Sequence, residues 1–315
     1  GRPGAPPMIE GPLPTYAVVT PVRDEAEHFS RTAASLVAQT HRPQQWVVVD
    51  DGSTDGTREI ADTLAAEHEW ITVVPSGQAH ERARGAPIVR AFERGRSELR
   101  DRPDITVKLD GDLFLPAHYF EWVAATFARS PRAGIVGGVA YIPDGHRWRP
   151  DGAATHHVNG VAKAYSTDCL DDIGGLRPSM GWDGIDEYSA RARGWRVHVL
   201  TELPLLHYRL RGSKQPFWRS RWEEGRGNYF MGYTPSFLTV RALYRMAVER
   251  PPVLGGLVLG AAYFSARLAG APQVDDRAAV TVLQQEQRAR LRGLLKGRAD
   301  VDLDPLPGGG PAYWA

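Results

Sequence analysis

Apolar and polar positions along the first half of this chain follow two periods that alternate with each other. Tyr16–Thr20 is a short aromatic and β-branched run, which predicts a strand. After it, Phe29, Ala33, Leu36 and Val37 recur at helical spacing, the pattern of one buried helix face. Trp46–Val49 predicts a second strand, Ile60, Ala61, Leu64 and Ala65 a second helix, and Ile71–Val74 a third strand. A charged stretch from about Glu81 to Leu99 reads as helical and Ile105–Leu109 as a fourth strand. Phe120, Val123, Ala124 and Phe127 form the stripe of another helix, with Pro116 suited to its first turn. Strands alternating with helices argue for an α/β fold, a mostly parallel sheet covered by helices on both faces.

Beyond Ile142 the pattern loosens. Pro143 to Thr155 reads as a polar loop, Val158 to Ala164 as a strand, Gly174-Gly175 as a turn, Tyr188 to Arg193 as a short helix and Val197–Leu200 as a strand. From Ser213 the chain turns aromatic and basic, and it ends in Pro/Gly-rich sequence. The expected division is a flexible segment over 1–14, an α/β domain over 15–212 and a helical C-terminal extension over 213–315. No internal repeat is visible.

With 38 Lys+Arg against 37 Asp+Glu, the chain has no global polyanion-binding signature, so nucleic acid is not an expected partner. The sole cysteine, Cys169, excludes an internal disulfide and any Cys-x-x-Cys site. Gly1 to Pro14 lacks the apolar core of a secretory signal, and a cytoplasmic location is the expectation.

Two strand ends carry acids. Val47-Val48-Val49 runs into Asp50-Asp51-Gly52-Ser53-Thr54-Asp55-Gly56, and Val107-Lys108-Leu109 into Asp110-Gly111-Asp112. Ligands of open α/β sheets bind outside the carboxyl ends of the strands. Two carboxylates there can hold Mg²⁺ or Mn²⁺ while a diphosphate fills the remaining positions.

These blocks carry a resemblance. Val18-Val19-Thr20-Pro21-Val22-Arg23-Asp24-Glu25, Ser35-Leu36 to Gln39-Thr40, Val49 to Thr57 and Leu109-Asp110-Gly111-Asp112 resemble family 2 glycosyltransferases. Those are inverting, nucleotide-sugar-dependent enzymes with the GT-A fold, and the likeness covers roughly residues 15 to 210. It implies that Thr20 and Pro21 line the nucleotide pocket, that Asp51 bonds the base with Asp50 beside it, and that Arg84 lies near base and diphosphate. It further implies that Asp110 faces the ribose, that Asp112 is a ligand of Mn²⁺ or Mg²⁺, and that His207 is an additional metal ligand. Arg209, Arg211 and Lys214 follow His207 and are candidates for neutralising the diphosphate.

An inverting transfer needs a carboxylate to take the proton of the acceptor hydroxyl. Family resemblance through Trp182-Asp183-Gly184-Ile185-Asp186-Glu187 implies Asp186 as the base, although Ile185 stands where the family has Glu. Counting back from Gly194-Trp195 selects Asp183, and Glu187 is a third candidate. Trp182 is the candidate for acceptor contact, whereas His156-His157 has no assigned role.

Val253 to Ala266 is a fourteen-residue apolar run, shorter than the about 20 residues a spanning helix needs. With Arg288 to Arg298 after it, contact with the inner face of a membrane and a lipid-linked acceptor are open alternatives to a packed helix. The expected function is metal-dependent transfer from a nucleotide diphosphate sugar, most readily a UDP-sugar, to a carbohydrate, lipid-linked or small-molecule acceptor. A polyprenyl-phosphate sugar synthase and a non-catalytic nucleotide-sugar-binding protein are the alternatives. No Gly-x-Gly-x-x-Gly follows the first strand and no P-loop is present, which disfavours dehydrogenase and P-loop chemistry.

Overall fold

The computed structural model describes residues 11–77, 86–151, 157–179, 181–208, 216–249 and 252–296. In chain order these form β1 (Tyr16–Val22), α1 (Ala26–Val37), β2 (Gln45–Asp50), α2 (Thr57–Glu67), β3 (Ile71–Pro75), α3 (Ala86–Arg96), β4 (Ile105–Leu109), β5 (Leu113–Phe114), α4 (Tyr119–Arg129) and β6 (Ala133–Asp144). They continue with β7 (Arg147–Pro150), β8 (Ala162–Ser166), α5 (Thr167–Asp172), α6 (Trp182–Ala192) and β9 (Arg196–His207). Four helices follow: α7 (Phe217–Phe230), α8 (Pro235–Val248), α9 (Leu254–Leu268) and α10 (Arg277–Leu295).

One sheet runs in the order β3-β2-β1-β4-β8-β6-β9-β5, with β7 paired to β6. β3, β2, β1 and β4 are mutually parallel, β8 is antiparallel to both β4 and β6, and β9 is parallel to β6. Among the described residues, β1, β2, β3, β4, β6 and β9 therefore run in one direction, and the sheet is mostly parallel. Alternate residues of β1 and β2 point to opposite faces. Val18 and Val48 enter the cluster of α1 and α4, which includes Phe29, Leu36 and Phe120. Val19, Val47 and Val49 enter the cluster containing Phe92, Leu170 and Ala190. Two buried faces explain why these strands read as continuous apolar runs.

The second half departs from several expectations. The stretch expected as a loop from Pro143 is half hairpin: β6 extends to Asp144 and pairs with β7, with Asp144 opposite Arg147. Gly145 sits at φ +62°, which the first central position of a two-residue hairpin turn requires and Gly accepts without strain. Pro116 precedes α4 rather than starting it, and its carbonyl accepts from the Tyr119 amide at 2.9 Å. β8 starts later than Val158, at Ala162, and β9 runs on past Leu200 to His207. The helix expected from Tyr188 begins earlier, at Trp182, because its buried side includes Asp186 and Glu187, residues that apolar periodicity does not register.

The extension packs onto α6. Met231, Val274 and Leu283 share a buried cluster with Ile185, while Tyr229, Leu238, Leu259 and Tyr263 form a cluster of the extension's own. Asp276 caps α10 by accepting from the Ala279 amide at 3.0 Å, and its carboxylate also accepts from Ser189 Oγ and Arg193 Nη1, both at 2.9 Å. No helix among the described residues is long and apolar enough to cross a membrane.

Candidate active site

Because β1, β2, β4 and β9 share one direction, Val22, Asp50, Leu109 and His207 all end at the same edge of the sheet. β8 runs the other way, with Ala162 opposite Leu109, so the segment leading into it from His157 also lies at that edge.

The first part of the edge is built by the loops after β1 and β2, which bond to each other. The Asp51 amide donates to Val22 O at 2.9 Å. Asp50 turns back to accept from the Ser53 amide at 3.1 Å, the local bond that favours Asp at turns. Asp24, held at φ +52°, accepts from the Thr54 amide at 2.8 Å, and Asp55 accepts from the Ala26 amide at 3.0 Å. Asp51 accepts from Ser76 Oγ at 2.6 Å and lies 3.6 Å from Arg23 Nη1. Pro21 is half-buried here, but Thr20 is fully buried and its hydroxyl accepts from Trp46 Nε1 at 2.9 Å. The Thr20 side chain thus belongs to the sheet's core rather than to a pocket lining. Arg84, Arg209, Arg211 and Lys214 lie outside the described residues.

The second part is the Asp112–His207 pair. β5 starts immediately after Asp112, and its Leu113 pairs with His207 at the end of β9. This register sets Asp112 Oδ2 3.4 Å from His207 Nε2. Burial works against protonation of the ring, but the hydrogen bond to Asp112 and the charges of Asp112 and Asp110 outweigh it and raise the His207 pKa. Nδ1 is buried without a hydrogen-bond partner. Among the described residues no three His, Cys, Asp or Glu side chains gather as a metal cage. A carboxylate and an imidazole suit a cation that takes its other ligands from a diphosphate and water, and the orphaned ring nitrogen marks a site whose polar contacts are incomplete. The residues therefore fit the group.

The third part is built on two buried lysines. Lys108 and Lys163 lie in β4 and β8, each inside a buried strand and almost without exposure. Lys108 Nζ donates to Asp110 and, at 2.7 Å, to Gly160 O, and stands 5.3 Å over the Trp182 ring. Burial raises the Asp110 pKa, Lys108 opposes the rise, and Asp112 adds to it. Lys163 Nζ donates to the carbonyl of Asp183 and to Asp186 Oδ1 at 3.0 Å, and lies 3.1 Å from Glu187 Oε1. These bonds hold the first turn of α6 against the sheet. A Cβ at Gly160 would come within 3.1 Å of Asp183 and Trp182, so a larger residue there would require its neighbours to give way.

This arrangement separates the three acids of α6. Asp186 is 4% exposed, and both its oxygens are used: Oδ1 accepts from Lys163 and from the Glu187 amide at 2.7 Å, and Oδ2 accepts from Tyr165 OH. Glu187 is equally buried, accepting from the Val158 amide at 2.8 Å. Asp183 is the most exposed of the three, with 28% of its side chain accessible. Burial and Asp186's own partners thus argue against the expectation that Asp186 is the base. Trp182 is 7% exposed, with Lys108 and Lys163 over its ring, so it is packed core rather than an open surface for stacking a sugar.

Sequence reasoning missed Lys108, Lys163, Tyr165 and His157. A lysine in the middle of a buried strand, as in Val107-Lys108-Leu109 and Ala162-Lys163-Ala164, is a legible signal, because a buried ammonium requires partners.

Comparison with known proteins gives a consistent picture. The model of the family described as Glycosyl transferase family 2 matches residues 17–169. An uncharacterized glycosyltransferase of Nostoc sp. is 30% identical over 130 residues, which is 41% of this chain and 38% of that protein. The chain spans less than half the length of the curated relatives it matches. Among solved structures, a mannosyltransferase of Pyrobaculum calidifontis in complex with GDP-Man and Mn²⁺ is 18% identical, with a TM-score of 0.51 covering 92% of this chain and 86% of that one. GalNAc-T7 with UDP, GalNAc and Mn²⁺ is 12% identical, with a TM-score of 0.59 covering 93% of this chain and 59% of that one.

Proposed function

Residues 17–169 belong to glycosyl transferase family 2 on a GT-A fold, and from that premise we propose that the chain is a metal-dependent inverting glycosyltransferase with Asp183 as its base. It takes a nucleotide diphosphate sugar, UDP-linked, and transfers the sugar to an acceptor hydroxyl. One observation carries the reading. Lys108 bonds Asp110 and also stands over Trp182, next to Asp183. The diphosphate-side acids and the most exposed acid of α6 therefore border a single site.

Asp51 reads the base from the first part of the edge, beside Asp50 and Pro21, and Asp110 faces the ribose. Asp112 and His207 would hold the cation, which would supply positive charge beside the departing diphosphate. An imidazole among oxygen donors favours Mn²⁺ over Mg²⁺, which prefers oxygen alone. The acceptor oxygen attacks the anomeric carbon as the bond to the diphosphate breaks. Its proton passes to the Asp183 carboxylate, and the nucleoside diphosphate leaves with inversion at carbon. Lys163 contributes by fixing the Asp183 backbone, since a general base must sit within hydrogen-bond reach of the proton it takes.

A lipid-linked acceptor is favoured by the extension. Phe217 at the start of α7 meets the start of α9, where a Cβ on Gly255 would approach Phe217 Cζ to 3.2 Å. Trp218, next in sequence to Phe217, is 65% exposed, and Val253, Leu254 and Leu257 at the start of α9 are exposed as well. An apolar tip carrying an exposed tryptophan suits a membrane interface, and sedimentation with anionic vesicles tests it against a Trp218→Ser variant.

Calorimetric titration of UDP with and without Mn²⁺ tests the donor site. Binding that strengthens with Mn²⁺ and loses that response in Asp112→Ala is expected. Binding indifferent to the metal, or unchanged in the variant, overturns the assignment.

A further inference from the structure

His157 has no part in the motifs, yet it stands between two acids of α6. Its Nδ1 lies 3.1 Å from Glu187 Oε1 and its Nε2 3.8 Å from Asp183 Oδ2. Asp183 and Glu187 are four residues apart, hence on one face of the helix, and the ring spans the gap between them. Glu187 is a fixed anchor. It accepts from the Val158 amide at 2.8 Å, and Lys163 Nζ and Arg191 Nη2 lie 3.1 Å and 3.4 Å from its oxygens.

We propose that His157 is a positioning residue for the base: its ring, anchored on Glu187, presents a cationic edge to Asp183 that keeps this carboxylate ionised and aimed at the acceptor. The inference rests on the assignment of Asp183 as base. The charged neighbours agree with it. Desolvation opposes a charged imidazole, but Glu187 and the bonds to Asp183 and Glu187 outweigh it and raise the His157 pKa to about 9, with Lys163 opposing. Burial also works against ionised Glu187, and Lys163, His157 and Arg191 overcome it, bringing its pKa down to about 2. Asp186 lies on the far side of Lys163 and is shared with Tyr165. The His157 side chain pairs with both the anchor and the Asp183 carboxylate. No covalent step is assigned to it, since the proton taken from the acceptor stays on Asp183 until product leaves.

The test is the pH profile of kcat/KM for sugar transfer, with Mn²⁺ present, in wild type, His157→Gln and His157→Lys. His157→Gln keeps a hydrogen-bonding group beside Glu187 and removes the charge, and Glu187 retains its other three partners, so the variant is expected to fold. Without the cation, the acid limb set by Asp183 is expected to move up by about one pH unit, the lower end of the effect of a nearby opposite charge. A fall in wild-type rate is expected near pH 9, where loss of the ring's charge releases the aim of Asp183, and this fall is expected to be absent in His157→Gln. His157→Lys is expected to return the acid limb toward the wild-type position, and UDP affinity is expected to be unchanged throughout. A profile superimposable on wild type, or one scaled down equally at every pH, overturns the proposal. Asp183→Asn, measured in parallel, separates the two assignments. If that variant loses transfer while His157→Gln leaves both limbs in place, the base stands and the role of His157 falls. If Asp183→Asn transfers at the wild-type rate, the base assignment falls and this inference falls with it.

Discussion

Asp50-Asp51 and Asp186-Glu187 are both adjacent, largely buried acid pairs at the same edge of one sheet, and the structure gives them different partners. The first pair is held by neutral donors. Asp50 accepts from a backbone amide and Asp51 from the hydroxyl of Ser76, with Arg23 as the nearby cation. The second pair is sealed under α6 on the ammonium of Lys163, which has no measurable exposure. Two carboxylates buried side by side repel each other and are costly to desolvate, and a lysine between them is what permits the burial. The difference teaches that the partners of a buried acid pair, local donors in one case and an ammonium in the other, decide what the pair does in the fold. In α6 the bulk of the negative charge serves to place the helix, and the acid left over, Asp183, is the one with access to solvent.

The largest expected effect follows from removing the ammonium. Lys163→Met should cost about 3–5 kcal/mol of unfolding free energy, the range for breaking a buried pair, read by chemical denaturation. An unaltered denaturation midpoint would show that the second pair does not depend on Lys163. Next comes the pH dependence of stability. A histidine raised from 6.5 to about 9 contributes stability that is fully present below pH 6.5 and lost as pH rises through 9. The loss should amount to no more than about 3 kcal/mol at 1.36 kcal/mol per pH unit, and it should be absent in His157→Gln. Glu187 acts in the other direction: its stabilisation is present above pH 4.5 and lost as pH falls toward 2. The smallest effect belongs to the first pair. Asp51→Ala should weaken nucleotide binding about tenfold, the value of one hydrogen bond to a charged group, with the melting temperature little changed. A large drop in melting temperature would erase the contrast between the pairs.

Much of the fold is legible in the chain. Strands β1 to β4 announce themselves as apolar runs because both faces of that half of the sheet are covered, and the acids at the ends of β2 and β4 point to the ligand edge. The start of α6 is hidden because Asp186 and Glu187 occupy buried positions where periodicity looks for apolar residues. The commitment of Asp186 to buried partners is hidden for the same reason. Its availability is decided by Lys163 and Tyr165 on β8, some twenty residues upstream, which no local motif encodes. Trp182 reads as an acceptor platform by its place in the motif, yet Lys108 and Lys163 from two different strands lie over its ring. Thr20 likewise matches a pocket position, while its hydroxyl is taken by Trp46 across the neighbouring strand.

The central claim is that the open acid of α6, not the buried ones, performs the proton transfer. The most direct measurement is sugar transfer by Asp183→Asn at saturating donor and Mn²⁺, beside Asp186→Asn, with nucleotide binding measured for both. Asp183→Asn is expected to bind nucleotide normally, to melt near the wild-type temperature, and to lose about 10²–10⁴-fold in rate, the range for removal of a general base. Asp186→Asn is expected to melt lower while its folded fraction still transfers. Wild-type transfer by Asp183→Asn, with a folded and inactive Asp186→Asn, would contradict the account.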